Sequence, residues 1–171
     1  MEKELREAEL STLSCDVFQL FSKATPLLTA GNREKLNTMT IGWGGLGTLW
    51  GKPVCTVYVR PERHTYAFME ENDLFTVSVF PGDYKEAMAF CGTKSGRDTD
   101  KVSACGLTPL FAQQDVPYFA QAELVFVCRK LYAQDLAQEH IVDGTPILPY
   151  YGANGNWHRM YIGEVLQVLK K

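Results

Sequence analysis

A chain of 171 residues, 46% apolar and 22% charged, has enough material for one hydrophobic core and too little for two domains of ordinary size. Its net charge of −3 disfavours a general affinity for nucleic acid or anionic membranes, and no segment approaches the ~20 apolar residues of a bilayer-spanning helix. Five cysteines without a C-x-x-C pair and three scattered histidines (His64, His140, His158) suit neither a disulfide framework nor a zinc site.

The first 14 residues are charged and lack the apolar stretch of a signal peptide. They are expected to form a loosely ordered or peripheral lead-in to a single domain over 1–171, in a reducing cytoplasm. Pro26 interrupts any helix over Phe18–Leu28. Leu36–Trp43 and Val54–Val59, rich in Thr, Val, Ile and Tyr, are predicted strands, with Gly51-Lys52-Pro53 between them. Pro61 and Asn72 bracket a short helix, His64–Glu71, and Phe75–Phe80 is a third strand. Asp83 and Glu86 have the spacing of a capping box for a helix Tyr84–Phe90 that stops at Gly92. A second short helix is predicted over Asp98–Ala104, then strands Leu107–Phe111, Tyr118–Phe119, Ala122–Leu131 and Arg159–Leu169, with a loop Val142–Asn156 before the last. Many strands with only small helices between them predict a mainly antiparallel sheet that curls into a β-barrel to remove its edges.

Gly42-Trp-Gly-Gly-Leu-Gly47 matches the dinucleotide-binding pattern in letters and fails it in mechanism. That fingerprint needs a helix starting within the motif and a crossover of ~12 residues before the next parallel strand. Gly51-Lys52-Pro53 arrives four residues after the last glycine and leaves room for neither. A tight bend between antiparallel strands is the expectation instead.

Three segments carry candidate chemistry. Asn37-Thr38-Met39-Thr40 runs into small residues around Trp43, offering a backbone edge and a flat indole to a planar, heteroatom-rich ligand such as a flavin ring. Arg60-Pro61-Glu62-Arg63-His64-Thr65 places charge, a hydroxyl and free helix N–H groups together, which suits an anion. Cys91-Gly-Thr-Lys-Ser95-Gly96-Arg97-Asp-Thr-Asp-Lys101 supplies a Ser-Gly bend followed by two cations four residues apart, which suits a monoester phosphate. It lacks the leading glycine of a phosphate-binding loop, so nucleotide hydrolysis is not supported. Each segment read alone is also compatible with an ordinary strand, a solvated turn and a charged loop.

In their order and spacing, these segments and the ending His158-Arg-Met-Tyr-Ile-Gly-Glu-Val165 resemble the flavin reductase-like family, the FMN-binding split barrels that include flavoredoxin. The resemblance spans about residues 15–169. It implies a homodimer with one FMN per protomer near the dimer interface. By matching position, Asn37, Thr38, Trp43, Thr65 and Lys101 contact the cofactor, Arg60, Ser95, Gly96 and Arg97 hold its phosphate with Cys91 alongside, and Met39, Thr40 and Ser78 lie near the ring or ribityl chain. His140 is carried over from the same resemblance, as are Trp157 and His158 on the ring's far side.

The resemblance also implies NADH or NADPH as hydride donor to the flavin N5, and free flavin, a ferric complex or a redox protein as second acceptor. Because the cofactor carries that chemistry, no catalytic side-chain acid or base is required and none is assigned. The alternatives are a non-enzymatic FMN-binding electron carrier and a pyridoxamine-phosphate-oxidase-like enzyme. The latter would call for a denser basic cluster than the sequence contains.

Overall fold

The structure, a computed structural model, describes residues 4–153 and 155–171. Strand β1 (Arg6–Ala8) lies inside the charged lead-in and pairs antiparallel with the end of the last strand, Ala8 opposite Val168. The lead-in is thus peripheral and held to the sheet by this pairing; its residues 1–3 lie outside the described residues. Helix α1 (Val17–Ser22) is capped by Asp16, whose carboxylate accepts the Gln19 N–H at 3.0 Å. Strands β2 (Leu27–Gly31) and β3 (Leu36–Thr40) form a hairpin.

The bend expected over Gly42–Gly47 is confined to residues 41–43, and from Gly44 the chain is strand β4 (Gly44–Leu49), paired with β5 (Lys52–Val59). Trp50 and Gly51 join the two with φ of 52° and 69°, the two positive values of a type I′ hairpin. The glycine at 44 answers a packing demand, since a Cβ there would lie 2.3 Å from the Phe21 ring. Helix α2 (His64–Glu71) and strand β6 (Leu74–Val79) follow much as predicted. Helix α3 (Lys85–Thr93) runs through Gly92 instead of stopping there, and Asp83 makes no side-chain cap because it lies in a 3-10 turn, Gly82–Tyr84. Helix α4 (Lys101–Ala104) starts later than predicted because Asp100, accepting from the N–H groups of Val102 and Ser103, takes the cap position. A small hairpin, β7 (Pro109–Phe111) and β8 (Pro117–Phe119), precedes the two 12-residue strands β9 (Leu124–Asp135) and β10 (Arg159–Lys170).

The main sheet runs β3-β2-β6-β9-β10-β5-β4 with every pairing antiparallel. Its two outer strands, β3 and β4, are consecutive in sequence with only residues 41–43 between them. Laid flat, seven strands would hold those edges roughly 29 Å apart. The four Cα–Cα steps of the connection reach at most about 14 Å. The sheet therefore curls into an antiparallel barrel with a seam between β3 and β4. Further along, β10 changes neighbours: Arg159–Glu164 pairs with β5 and Val168–Lys170 with β1. This is the split β-barrel with accessory helices that the sequence predicted.

Alternation along the strands builds two cores. Leu28, Ala30, Val57, Phe75, Val77, Phe126, Cys128 and Tyr161 fill the barrel. Leu27, Leu74, Val125 and Val127 point the other way, under Met88 and Cys91 of α3 and Phe119 of β8. Strand β2 is buried along its whole length, on both faces. Helices α2, α3 and α4 all pack against β3, so three helix ends and one strand edge converge on the seam. Among the described residues, no helix is long and apolar enough to cross a membrane.

Candidate functional site

The seam carries a cleft of two connected lobes. The first, about 310 Å³, is walled by Met39–Gly42, Trp43, Tyr58, Arg60 and His158. The second, about 230 Å³, is walled by His64 and Thr65 of α2, the loop Thr93–Arg97, and Lys101. Met39, Glu62 and Arg63 line both.

The local sequence explains the shape. Strand β3 is an edge, so main-chain groups on its seam side are free to meet a ligand. The Asn37 amide donates to the Thr65 hydroxyl at 2.7 Å, fixing the strand to the first turn of α2. A Cβ at Gly96 would lie 2.0 Å from Asn37 Oδ1, so only glycine lets the loop come this close. The Ser95 hydroxyl accepts the Arg97 N–H at 3.2 Å and shapes the turn.

Five cations line the cleft, and all but Lys94 are held by carbonyl oxygens. Arg60 donates to Tyr150 O at 2.7 Å, Arg63 to Gly92 O at 3.1 Å, Arg97 to Glu62 O at 3.0 Å and Lys101 to Cys91 O at 3.2 Å. Among the described residues none of them pairs with a carboxylate; the ion pairs lie elsewhere. The four held cations are oriented but not neutralised.

The titratable groups register that field. Burial and then Arg60 and Arg63 bring the His158 pKa down to about 4. His64 is lowered by burial and then by Arg97 and Lys101. Lys101 is itself buried, and desolvation lowers its pKa while the nearby Arg63 adds to the effect. A bound anion would offset the part of each shift that comes from the neighbouring cations. His158 Nδ1 lies 3.1 Å from the Tyr151 hydroxyl, and its ring sits 4.7 Å from that of Trp43.

The predicted site residues divide in two groups. Met39, Thr40, Trp43, Arg60 and His158 line the first lobe, and Thr65, Ser95, Gly96, Arg97 and Lys101 the second. Asn37 lies behind Gly96. Thr38 is buried, its hydroxyl 2.9 Å from that of Thr29 and 3.2 Å from Leu28 O, so only its main chain is offered. Arg60, grouped with the phosphate loop by sequence, sits in the other lobe.

Four residues are not brought to the cleft. Ser78 faces the outer core, opposite Leu27 and Val125, and its buried hydroxyl has no partner among the described residues. Cys91 also points into the outer core, its sulfur 3.8 Å from that of Cys105, and contributes only its carbonyl. His140 lies exposed in a 3-10 turn, Gln138–His140. Trp157 stacks on Tyr151 with ring centroids 3.9 Å apart, outside the lobe walls. Conversely, Tyr58 was not singled out, and Glu62 and Arg63 entered only as members of the Arg60–Thr65 segment, without a role of their own. The position of Arg63, immediately before the first residue of α2, was the available signal. No group of three His, Cys, Asp or Glu among the described residues could hold a metal ion.

Residues 18–170 match the model of the family described as flavin reductase like domain. No curated protein matches the chain in sequence. Among solved structures, a flavoredoxin from Methanosarcina acetivorans is similar with a TM-score of 0.70 at 19% identity, over 96% of this chain and 76% of that one. An FMN-binding protein from Thermus thermophilus with bound p-hydroxybenzaldehyde gives 0.69 at 18%, over 97% and 82%. The Streptomyces globisporus C-1027 NADH:FAD oxidoreductase, in complex with NAD and FAD fragments, gives 0.62 at 15%, over 85% and 73%. Likeness at such identities establishes a shared fold.

Proposed function

The chain belongs to the flavin reductase-like family, and from that premise we propose that it binds FMN in the seam cleft and acts as an NADH- or NADPH-dependent reductase. The observation that carries this reading is the set of four carbonyl-held, unneutralised cations beside an aromatic-walled lobe. The cleft suits FMN at both ends. Ser95, Arg97 and Lys101, with the N–H groups that open α2, offer a phosphate monoester charge and donors. The main chain at Thr40, at the end of the β3 edge, offers hydrogen bonds to the polar rim of a planar ring, and Trp43 and Tyr58 offer it apolar faces.

Bound there, FMN supplies two-electron acceptance from a nicotinamide and onward donation to a second acceptor. The chain's own residues bind, orient and shield. Neutral His158 contributes hydrogen-bonding capacity without adding charge, its orientation set by Tyr151. Trp43, against both Tyr150 and His158, screens the first lobe from water.

A second copy of the chain is the proposed cover for an apolar groove of about 840 Å³ on the far side of Trp43. Phe18, 87% exposed, stands in it beside the unpaired edge of β4. Trp43 and Tyr58 line both groove and cleft, so a homodimer would complete the site.

The test is an absorption spectrum after loading with excess FMN and desalting, followed by anaerobic addition of NADH or NADPH. Retained oxidised-flavin peaks that bleach with nicotinamide support the reductase. Retained peaks that bleach only with a reduced redox protein point to the carrier reading. A protein that neither retains FMN nor binds it in a titration removes the proposal.

A further inference from the structure

We propose that Arg60 is the charge partner of the flavin ring and not of its phosphate, and that it biases bound FMN toward the reduced form. The inference rests on the FMN reading above and adds to it a role that sequence position had assigned elsewhere.

The cleft sorts its cations by lobe. Lys94, Arg97 and Lys101 wall the lobe with the Ser95-Gly96 turn, and Arg63 stands at the junction. Arg60 walls only the lobe with Trp43, Tyr58 and His158. A planar aromatic ring suits that lobe, and a phosphate suits the other. Arg60 is also fixed in place: it donates to Tyr150 O at 2.7 Å, and its guanidinium carbon lies 5.5 Å from the Tyr151 ring centroid. The charged and titratable groups around it are Glu62, Arg63, His158, Tyr58 and Tyr151. Glu62 is the only carboxylate in the lobe and pairs with none of the cations among the described residues. Without a bound anion, burial and the two arginines keep His158 neutral down to about pH 4.

The chemistry gives that placement a consequence. Hydride transfer from a reduced nicotinamide, FMN + NAD(P)H → FMNH− + NAD(P)+, forms an N5–H bond and breaks a C4–H bond. Two electrons and one proton arrive together, and the surplus negative charge gathers at N1 and the C2 carbonyl. A fixed cation in a partly desolvated lobe stabilises that anionic product and not the neutral oxidised ring. It also opposes a second protonation, at N1.

The experiment is a potentiometric titration of the FMN-loaded protein as wild type, Arg60→Gln and Arg60→Lys, alongside titrations of the apo forms with FMN and with riboflavin. Arg60→Gln is expected to bind reduced flavin roughly tenfold less favourably relative to oxidised flavin, a fall in midpoint potential of about 30 mV for a two-electron couple. Its affinities for oxidised FMN and riboflavin should change by the same small factor, and Arg60→Lys should keep most of the wild-type potential. At pH 6 the wild-type protein should take up one proton per two electrons, a readout independent of how either variant folds. An unchanged potential in Arg60→Gln, a loss confined to FMN and absent with riboflavin, or uptake of two protons by the wild type each overturns the inference. If the wild type binds neither flavin, the functional reading itself fails, and that is seen before any potential is measured.

Discussion

The amide of Asn37 donates to the Thr65 hydroxyl at 2.7 Å, and its oxygen faces Gly96 so closely that a Cβ there would come within 2.0 Å. One buried amide therefore sets three elements of the cleft at once: the edge of β3, the first turn of α2 and the Ser95–Arg97 loop. Gly96→Ala is expected to push that loop outward and weaken FMN binding by roughly tenfold or more, with the circular dichroism of the fold unchanged. Thr65→Val leaves the amide donor unsatisfied and should cost about 1–3 kcal/mol in urea denaturation.

Lys101 is buried against the Cys91 carbonyl and opens onto the second lobe. Removing it deletes a charge-assisted contact to phosphate, so Lys101→Ala should weaken FMN by about 1.5–3 kcal/mol, roughly tenfold or more. Riboflavin, which has no phosphate, should bind almost as before. Calorimetric titration with both ligands decides it: unchanged FMN affinity takes Lys101 out of the site.

Stability should depend on pH through His158. Its pKa is lowered from 6.5 to about 4, by burial first and then by Arg60 and Arg63. Between those values the unfolded chain binds a proton that the folded chain refuses. The contribution is therefore complete above about pH 6.5 and is lost as pH falls toward 4. At roughly 1.4 kcal/mol per pH unit the loss is at most about 3 kcal/mol, and partial exposure reduces it to about 1–2 kcal/mol. His64 is shifted in the same direction and adds to the same window. Urea denaturation at pH 7 and pH 4.5 should show a smaller loss for His158→Gln than for the wild type; equal losses would remove His158 as the cause.

The exposed Phe18 beside the open edge of β4 predicts the oligomeric state. Light scattering of the wild type should give twice the chain mass, and Phe18→Asp should shift it toward the monomer because a charge cannot be buried there without a partner. A monomeric wild type that is fully loaded with FMN would falsify the dimer.

What could be read beforehand followed local rules. His64–Glu71 was legible because Pro61 and Asn72 punctuate it, and most strands because β-branched residues crowd them. Leu27–Gly31 was not, because a strand buried on both faces shows no alternation and merges with the apolar residues of α1. Gly42–Gly47 reads as a bend because glycines look like turns, whereas Gly44 already belongs to a strand and leaves Phe21 the space that a Cβ would fill. In the site, the phosphate loop and the Trp43 edge carried recognisable residue types. The separation of Arg60 from Arg97, by contrast, depends on how the sheet curls, and no local pattern encodes that. Ser78 illustrates the parity problem: its neighbours Leu74 and Phe80 belong to the outer core, so a shared strand with the site says nothing about which face it presents.

The junction of β3 and β4 also imposes an order on assembly. These strands are neighbours along the chain but opposite ends of the sheet, and their edges meet only after β6, β9, β10 and β5 have paired in turn. Such distant pairings are the slow part of folding a β-rich chain. The cleft is therefore a late product of folding, and flavin added to a refolding chain should leave the early phases at their original rates while shifting only the final equilibrium. Stopped-flow refolding with and without FMN measures this, and an accelerated first phase would place flavin binding before closure of the barrel.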